Sequence, residues 1–362
     1  MEHAKISVKQ FFNLMILFQL GSIGVNLGSN VGKDAWISTL MGMIVGFVAF
    51  LLYFYLHKPY LDKTYTQILQ HVFGKWIGNG LVIIYSIYFV YIGARITRDI
   101  AELLTLNIYY ATPQWIICSM MVAITTYSVY KGIEVIAKLG ELFFFIMILL
   151  WGTFIFFILL SGIFHFIELQ PMLENGWVPI VRSTFPITLT VPYGETLAFL
   201  MIFPYVMQKS EILPKGLFSI LVSGIILTLT TMINIGVLGS YMLKHIPFPL
   251  LTSSSLIHVG SFIQRLEPLA ILMLFIGMYF KISVFQYVAC ISLSELYKVN
   301  TYHSLVPVMS VSMIIGAIFM SRNNIEHFDI GIKFIPYFVH VPLQFTVPLV
   351  AILILLIRKK LR

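Results

Sequence analysis

Charge is scarce in this chain: Asp, Glu, Lys and Arg make up 10% of the 362 residues, against about 25% in soluble domains. So few charged groups cannot furnish a water-facing surface, which excludes a soluble globular protein. Cysteine is scarcer still. Cys118 and Cys290 are the only two, both inside apolar runs and neither beside a Cys or His at metal-ligand spacing, so no disulfide and no zinc or other metal site is expected. The sequence also lacks a nucleophile–base pair and a nucleotide-binding loop, and its histidines fall mostly in or near predicted loops, so no enzyme and no cofactor is expected. The basic excess gives a formal net charge of +8, but these residues are scattered in pairs between apolar runs. That is the pattern of loops that set membrane topology rather than of a nucleic-acid face.

What the sequence has instead is apolar length: 59% of its residues are hydrophobic. A bilayer-spanning helix needs about 20 mostly apolar residues, and such runs predict about ten spans, near 8–30, 35–56, 76–104, 114–130, 139–163, 184–206, 214–241, 267–291, 304–320 and 338–357. The fold class expected is therefore an all-α polytopic membrane protein, with residues 1–362 forming a single integral membrane domain in contact with lipid. Lys5 and Lys9, followed by the apolar run 11–20 and the small residues of 21–24, imitate a secretory signal. Asn13 and Gln19 inside the run, and the many later spans, favour a retained first helix. An N-terminus in the cytoplasm puts Lys58, Lys63, Lys75, Lys131, Lys138, Lys209, Lys215, Lys298 and the tail Arg358, Lys359, Lys360 and Arg362 on the same side as Lys5 and Lys9. The other side keeps only Lys33, Arg182, Lys244, Arg265, Arg322 and Lys333. By the positive-inside bias both termini are expected in the cytoplasm. Tyr109, Tyr110 and Trp115 at one outer turn, with Trp76 at an inner one, read as interfacial anchors.

Ten spans with both ends on one side divide into two sets of five of inverted topology, about 8–163 and 184–357. The first span of each set is the interrupted one: span one carries Gly21, Gly24 and Gly28, and span six carries Pro186, Pro192 and Gly194. Paired Gly/Pro-interrupted spans at corresponding positions mark a transporter-type binding site near the midplane. Around Gly21, Ser22, Ile23 and Gly24, unwound backbone would expose N–H and C=O groups that a small zwitterion can satisfy; alternatively the glycines only allow close helix packing. Pro192 disfavours helix at Val191, leaving Tyr193, Gly194 and Glu195 next to a break. Glu195, near the midplane, would accept an ammonium group, cap the second half-helix or take up a proton. Lys281 sits in the middle of span eight, with Glu195 as its natural partner; the competing reading is a cation snorkelling along a polar face. Arg95 with Asp99 and Arg98 with Glu102 stand at i,i+4 spacing. Arg98, Asp99 and Glu102 read as the charged outer end of a long tilted helix with internal ion pairs, while Tyr88, Tyr91 and Ile92, deeper on neighbouring turns, would wall a small pocket facing spans one and six.

Three segments carry a resemblance: Lys33-Asp34-Ala35-Trp36-Ile37-Ser38 after span one, Pro192-Tyr193-Gly194-Glu195 in span six, and Phe203-Pro204-Tyr205 at its end. Together with the length and the ten-span layout, they resemble the spore germination permeases. These are the B subunits of endospore nutrient germinant receptors, within the amino acid/polyamine/organocation transporter superfamily. The resemblance implies a LeuT-type fold with broken helices one and six, placed in the spore inner membrane and working with an A subunit and a lipoprotein C subunit. It implies that a germinant such as an amino acid binds the transporter-like site and triggers ion release and germination. The ligand region would then comprise Gly21, Ser22, Ile23, Gly24, Tyr88, Tyr91, Ile92, Pro192, Tyr193, Gly194, Glu195 and Tyr279, with Glu195 and Lys281 as candidates for ion or proton coupling. The alternative function is a proton-coupled amino-acid transporter, and a third is a passive scaffold for partner subunits.

Overall fold

A computed structural model describes residues 4–26, 28–260 and 263–360. Leu27, in the expected first span, and Arg362, in the expected cytoplasmic tail, lie outside the described residues. Among the described residues, seven helices are each long and apolar enough to cross a membrane. The remaining crossings of the ten expected are made by shorter or broken pieces, described below.

Helix α1 (Val8–Leu20) begins at a reciprocal cap, in which Ser7 Oγ accepts the Gln10 N–H at 3.1 Å and Gln10 Oε1 accepts the Ser7 N–H at 2.9 Å. It runs only to Leu20; the chain turns over residues 21–24, and Gly28 has a φ of 72°, which suits a residue without a Cβ. Helix α2 (Ala35–His57) follows. Helix α3 (Tyr65–Asn107) is longer than the span expected at 76–104. Its first turns hold Gln67, Gln70, His71 and Lys75, which mask them in a hydropathy scan, and Gly74 at φ 80° and ψ 176° bends them away from the rest. Helices α4 (Gln114–Lys131) and α5 (Ile133–Ser161) complete the first five crossings.

The sixth crossing is broken, as expected from its prolines. Helix α6 (Trp177–Ser183) gives way to widened π-type turns over Thr184–Tyr193, interrupted by extended backbone at Phe185 and Val191. Each is the residue before a proline, where the ring of Pro186 or Pro192 disfavours helical backbone. Tighter 3₁₀ turns then carry the chain through Gly194–Met201. The α2 glycines cradle this irregular segment: a Cβ at Gly42 would lie 2.9 Å from Thr188 Oγ1, and one at Gly46 2.6 Å from Tyr193 Cγ. At the far end, Ile6 pairs in parallel with Val206 through the bonds Ile6 N to Tyr205 O at 2.9 Å and Met207 N to Ile6 O at 3.0 Å. That ties the start of the first crossing to the end of the sixth.

Helix α7 (Ile212–His245) is followed by the short α8 (Pro249–Ser255) and an antiparallel strand pair, β1 (His258–Val259) and β2 (Ile263–Gln264). Helix α9 (Glu267–Tyr297) is the axis of the bundle. Every residue of 276–292 is buried, and the helix packs on α1, α3, α4 and α5. After α10 (Val306–Phe319) the last crossing begins at α11 (Asn324–Asp329), continues through π-type turns and ends in α12 (Val347–Lys360). It starts well before the expected 338–357 because its first turns are polar. Two of those groups are partnered: the exposed Asn323 Oδ1 caps the Glu326 N–H at 2.9 Å, and the buried His327 Nε2 reaches Asp99 at 2.7 Å.

Candidate functional site

The interruption of α1 lies directly against α9. A Cβ at Gly277 would stand 2.8 Å from Gly21 Cα and from Leu20 O, and one at Gly21 would stand 2.7 Å from Gly277 O. Backbone therefore meets backbone at this crossing, so the close-packing role weighed for Gly21 is real at the Gly21–Gly277 contact. One turn further along α9, Lys281 turns to the same break. Its Nζ donates to Ser22 Oγ at 2.5 Å and lies 2.5 Å from Glu195 Oε2. Lys281 and Glu195 are 2% and 4% exposed, so neither is a snorkelling surface charge. The ammonium group joins the broken first crossing to the broken sixth through α9, across 259 residues of chain on one side.

Beside this pair opens a cavity of about 400 Å³. Gly21, Ile92, Glu195 and Lys281 line it, as do Val25, Asn26, Asn30 and Val191 from the two breaks. Helix α3 contributes Arg95 and Asp99, and the last crossing contributes Phe328, Gly331 and His340. Lys244 and His245, both exposed, lie at its mouth.

The other residues expected at the site take different places. Ser22 and Tyr91 contact lining cations rather than the cavity itself: Ser22 holds Lys281, and the Tyr91 hydroxyl accepts from Arg95 Nη1 at 3.5 Å. Ile23 is buried and Gly24 faces the Leu274 side chain on α9. Pro192 is buried behind Val191; the Tyr193 ring fills the space at Gly46; the Gly194 carbonyl accepts the Tyr53 hydroxyl at 3.0 Å. Tyr88 packs behind the cavity, where its hydroxyl meets His340 Nδ1 at 2.8 Å and accepts from Gln344 Nε2 at 2.8 Å. Tyr279 lies away from the cavity. Its hydroxyl lies 2.5 Å from Ser128 Oγ on α4, and it does not line the cavity, because helical rotation from Lys281 carries it to another face of α9.

The charges of α3 also differ from the expected outer end. Arg98 and Glu102 do pair, at 2.6 Å, but with side chains 6% and 0% exposed, and Arg98 Nη1 also donates to Ala317 O at 3.3 Å. Arg95 and Asp99 do not pair with each other: Asp99 takes His327, and Arg95 Nη2 donates to the His327 carbonyl at 2.7 Å. His327, between two expected spans, and His340, inside the last expected one, are 1% and 4% exposed on the last crossing. For His340 a signal existed, since it sits within an apolar run. For His327 none did, because its partner Asp99 is 228 residues away.

The Tyr88 hydroxyl serves two buried partners, so Tyr88→Phe is expected to cost about 1–3 kcal/mol, the desolvation cost of stranding them. Thermal melting of the purified protein in detergent measures this; an unchanged midpoint would mean that water or rotation replaces the hydroxyl.

Comparison with known proteins agrees with this architecture. At 12% identity and a TM-score of 0.63, covering 90% of this chain and 74% of the other, the fold is similar to that of a nucleobase-cation-symport-1 family transporter solved in a closed conformation with bromovinylhydantoin bound. In sequence, the chain is 34% identical to spore germination protein KB of Bacillus subtilis (strain 168) over 363 aligned residues, covering 100% of this chain and 97% of that one. It is 24% identical to spore germination protein YndE of the same organism over 337 residues, covering 91% and 90%. The family model described as spore germination protein matches residues 5–325. A transporter-type membrane bundle with these relatives along its whole length belongs to the spore germination protein family.

Proposed function

We propose that this chain is the membrane-embedded B subunit of a nutrient germinant receptor, which binds a small germinant, an amino acid, in the cavity between its two broken crossings. The observation that carries the reading is the cavity itself, about 400 Å³ in volume, placed where Gly21 of the first break, Glu195 of the sixth crossing and Lys281 of α9 converge. Its size suits a small molecule, and its wall combines apolar side chains with a few fixed polar groups, the usual make-up of a ligand site. Occupancy would shift the equilibrium between two arrangements of the broken segments by as much as the ligand's affinities for them differ. The protein would sit in the spore inner membrane with both termini in the cytoplasm, acting with A and C subunits. The two sets of five crossings, about 8–163 and 184–357, would form one domain around the site.

The test is germination of spores in which this chain, supplied with A- and C-type subunits, is the sole nutrient receptor, screened over amino acids and sugars. Germination in response to an amino acid is expected. Response to sugars alone would overturn the amino-acid assignment, and response to no nutrient would overturn the receptor reading. The buried Lys281–Glu195 pair at the cavity wall favours a second reading, a proton-coupled amino-acid transporter. Liposomes holding the purified protein separate the two: accumulation of labelled amino acid under an imposed proton gradient supports transport, and binding without accumulation supports a sensor.

A further inference from the structure

The charges inside the cavity are unevenly matched. Lys281 is paired with Glu195, and Asp99 Oδ1 is taken by His327 Nε2 at 2.7 Å. Of the remaining cations that line the cavity, Lys244 and Arg95, neither makes an ion pair among the described residues; Lys244 is exposed and Arg95 is half-buried. It is held by neutral acceptors alone, the His327 carbonyl at 2.7 Å and the Tyr91 hydroxyl at 3.5 Å. These contacts orient the guanidinium without neutralising it, and they use only part of its five-donor fork. The backbone opposite is shaped to admit it: a Cβ at Gly331 would collide with Arg95 Nη2 and Cζ. The i,i+4 position that would have given Arg95 a carboxylate on its own helix is Asp99, and that side chain is committed to the last crossing instead.

We propose that Arg95 is the carboxylate-binding residue of the cavity, so that the ligand is a small molecule bearing a free carboxylate, and that Gly331 is the clearance that keeps the guanidinium turned to it. A half-buried guanidinium in a wall of low dielectric is a strong, directional receptor for a planar carboxylate. This deepens the amino-acid reading above and rests on it: it assigns the ligand's negative end to α3 and the last crossing rather than to the broken helices.

The experiment uses the purified full-length chain in detergent, with each proteinogenic L-amino acid and its carboxamide as probes, binding being read by ligand-induced thermal stabilisation and by titration. At least one amino acid is expected to bind, with its carboxamide weaker by about 10- to 100-fold, the scale of one charge-assisted hydrogen-bonded contact. Arg95→Gln should bring the acid down to the level of the amide, and Arg95→Lys, which keeps the charge and loses the fork, should fall between. Gly331→Ala should weaken the acid and leave the amide unchanged. The amide arm needs no substitution, so a misfolded variant leaves the test intact. Equal binding of acid and amide by the wild type, or full acid binding by Arg95→Gln, overturns the role of Arg95 while leaving the amino-acid reading standing. Binding of no amino acid overturns both.

Discussion

Lys281→Met is expected to destabilise the folded protein by about 3–5 kcal/mol, because it strands the Glu195 carboxylate in the interior without its counter-charge. Both members of the pair are almost fully buried and 2.5 Å apart; Glu195 lies in the turns just after the Val191 break, whereas Lys281 sits inside the continuous helix α9. Methionine matches the length of the lysine stem, so the loss reports the charge rather than a cavity. Removing both charges together, in Lys281→Met with Glu195→Gln, should recover most of the stability, since a neutral pair has no comparable desolvation cost. The comparison is made by thermal melting and by the monodisperse fraction in size-exclusion chromatography. A single variant as stable as the wild type, or a double variant no better than the single, would refute the proposed coupling. If the site reading also holds, the double variant regains the fold without regaining the response to a germinant.

Gly277→Leu should be at least as damaging, on the order of 3 kcal/mol or more, the upper range for overpacking. Most tight glycine contacts in this bundle face the end of a side chain that can move, as Gly24 faces Leu274. Gly277 faces the Gly21 Cα and the Leu20 carbonyl, which belong to the backbone and cannot rotate aside. A larger residue must therefore push α1 off α9 and open the crossing that positions Ser22 beside Lys281. Gly152, with nothing within 4 Å of its added Cβ, is the matched control, and Gly152→Leu is expected to melt like the wild type. Equal behaviour of the two variants would show that the α1–α9 crossing does not depend on backbone contact.

Much of the architecture is legible in the residues in order, because the bilayer enforces simple rules. Apolar length marks the crossings, and a proline marks a break at the residue before it, as at Val191 and Pro192. The rules failed where polar residues were partnered inside the protein. The first turns of α3 and the whole of α11 look like loops by hydropathy, yet they are helical, and polar groups in both are partnered across the chain, Gln67 by Glu295 and His327 by Asp99. The candidate site was legible in the same measure. Glu195 and Lys281 stood out singly as ionisable groups in apolar runs. Arg95 did not, because its neighbours in sequence offered an ordinary ion pair.

By itself, then, the sequence determined the membrane class, the number of crossings, the two broken ones and the buried charges of spans six and eight. Each of these depends on composition or on dihedral preferences within a few residues. Only the tertiary structure decided that Lys281 bonds Ser22 as well as Glu195, that Asp99 belongs to His327 and leaves Arg95 facing the cavity, and that Tyr279 turns to α4. Those outcomes depend on which helix faces lie opposite one another across hundreds of residues. Backbone contacts such as that of Gly21 with Gly277 set those faces, and a local pattern does not contain them.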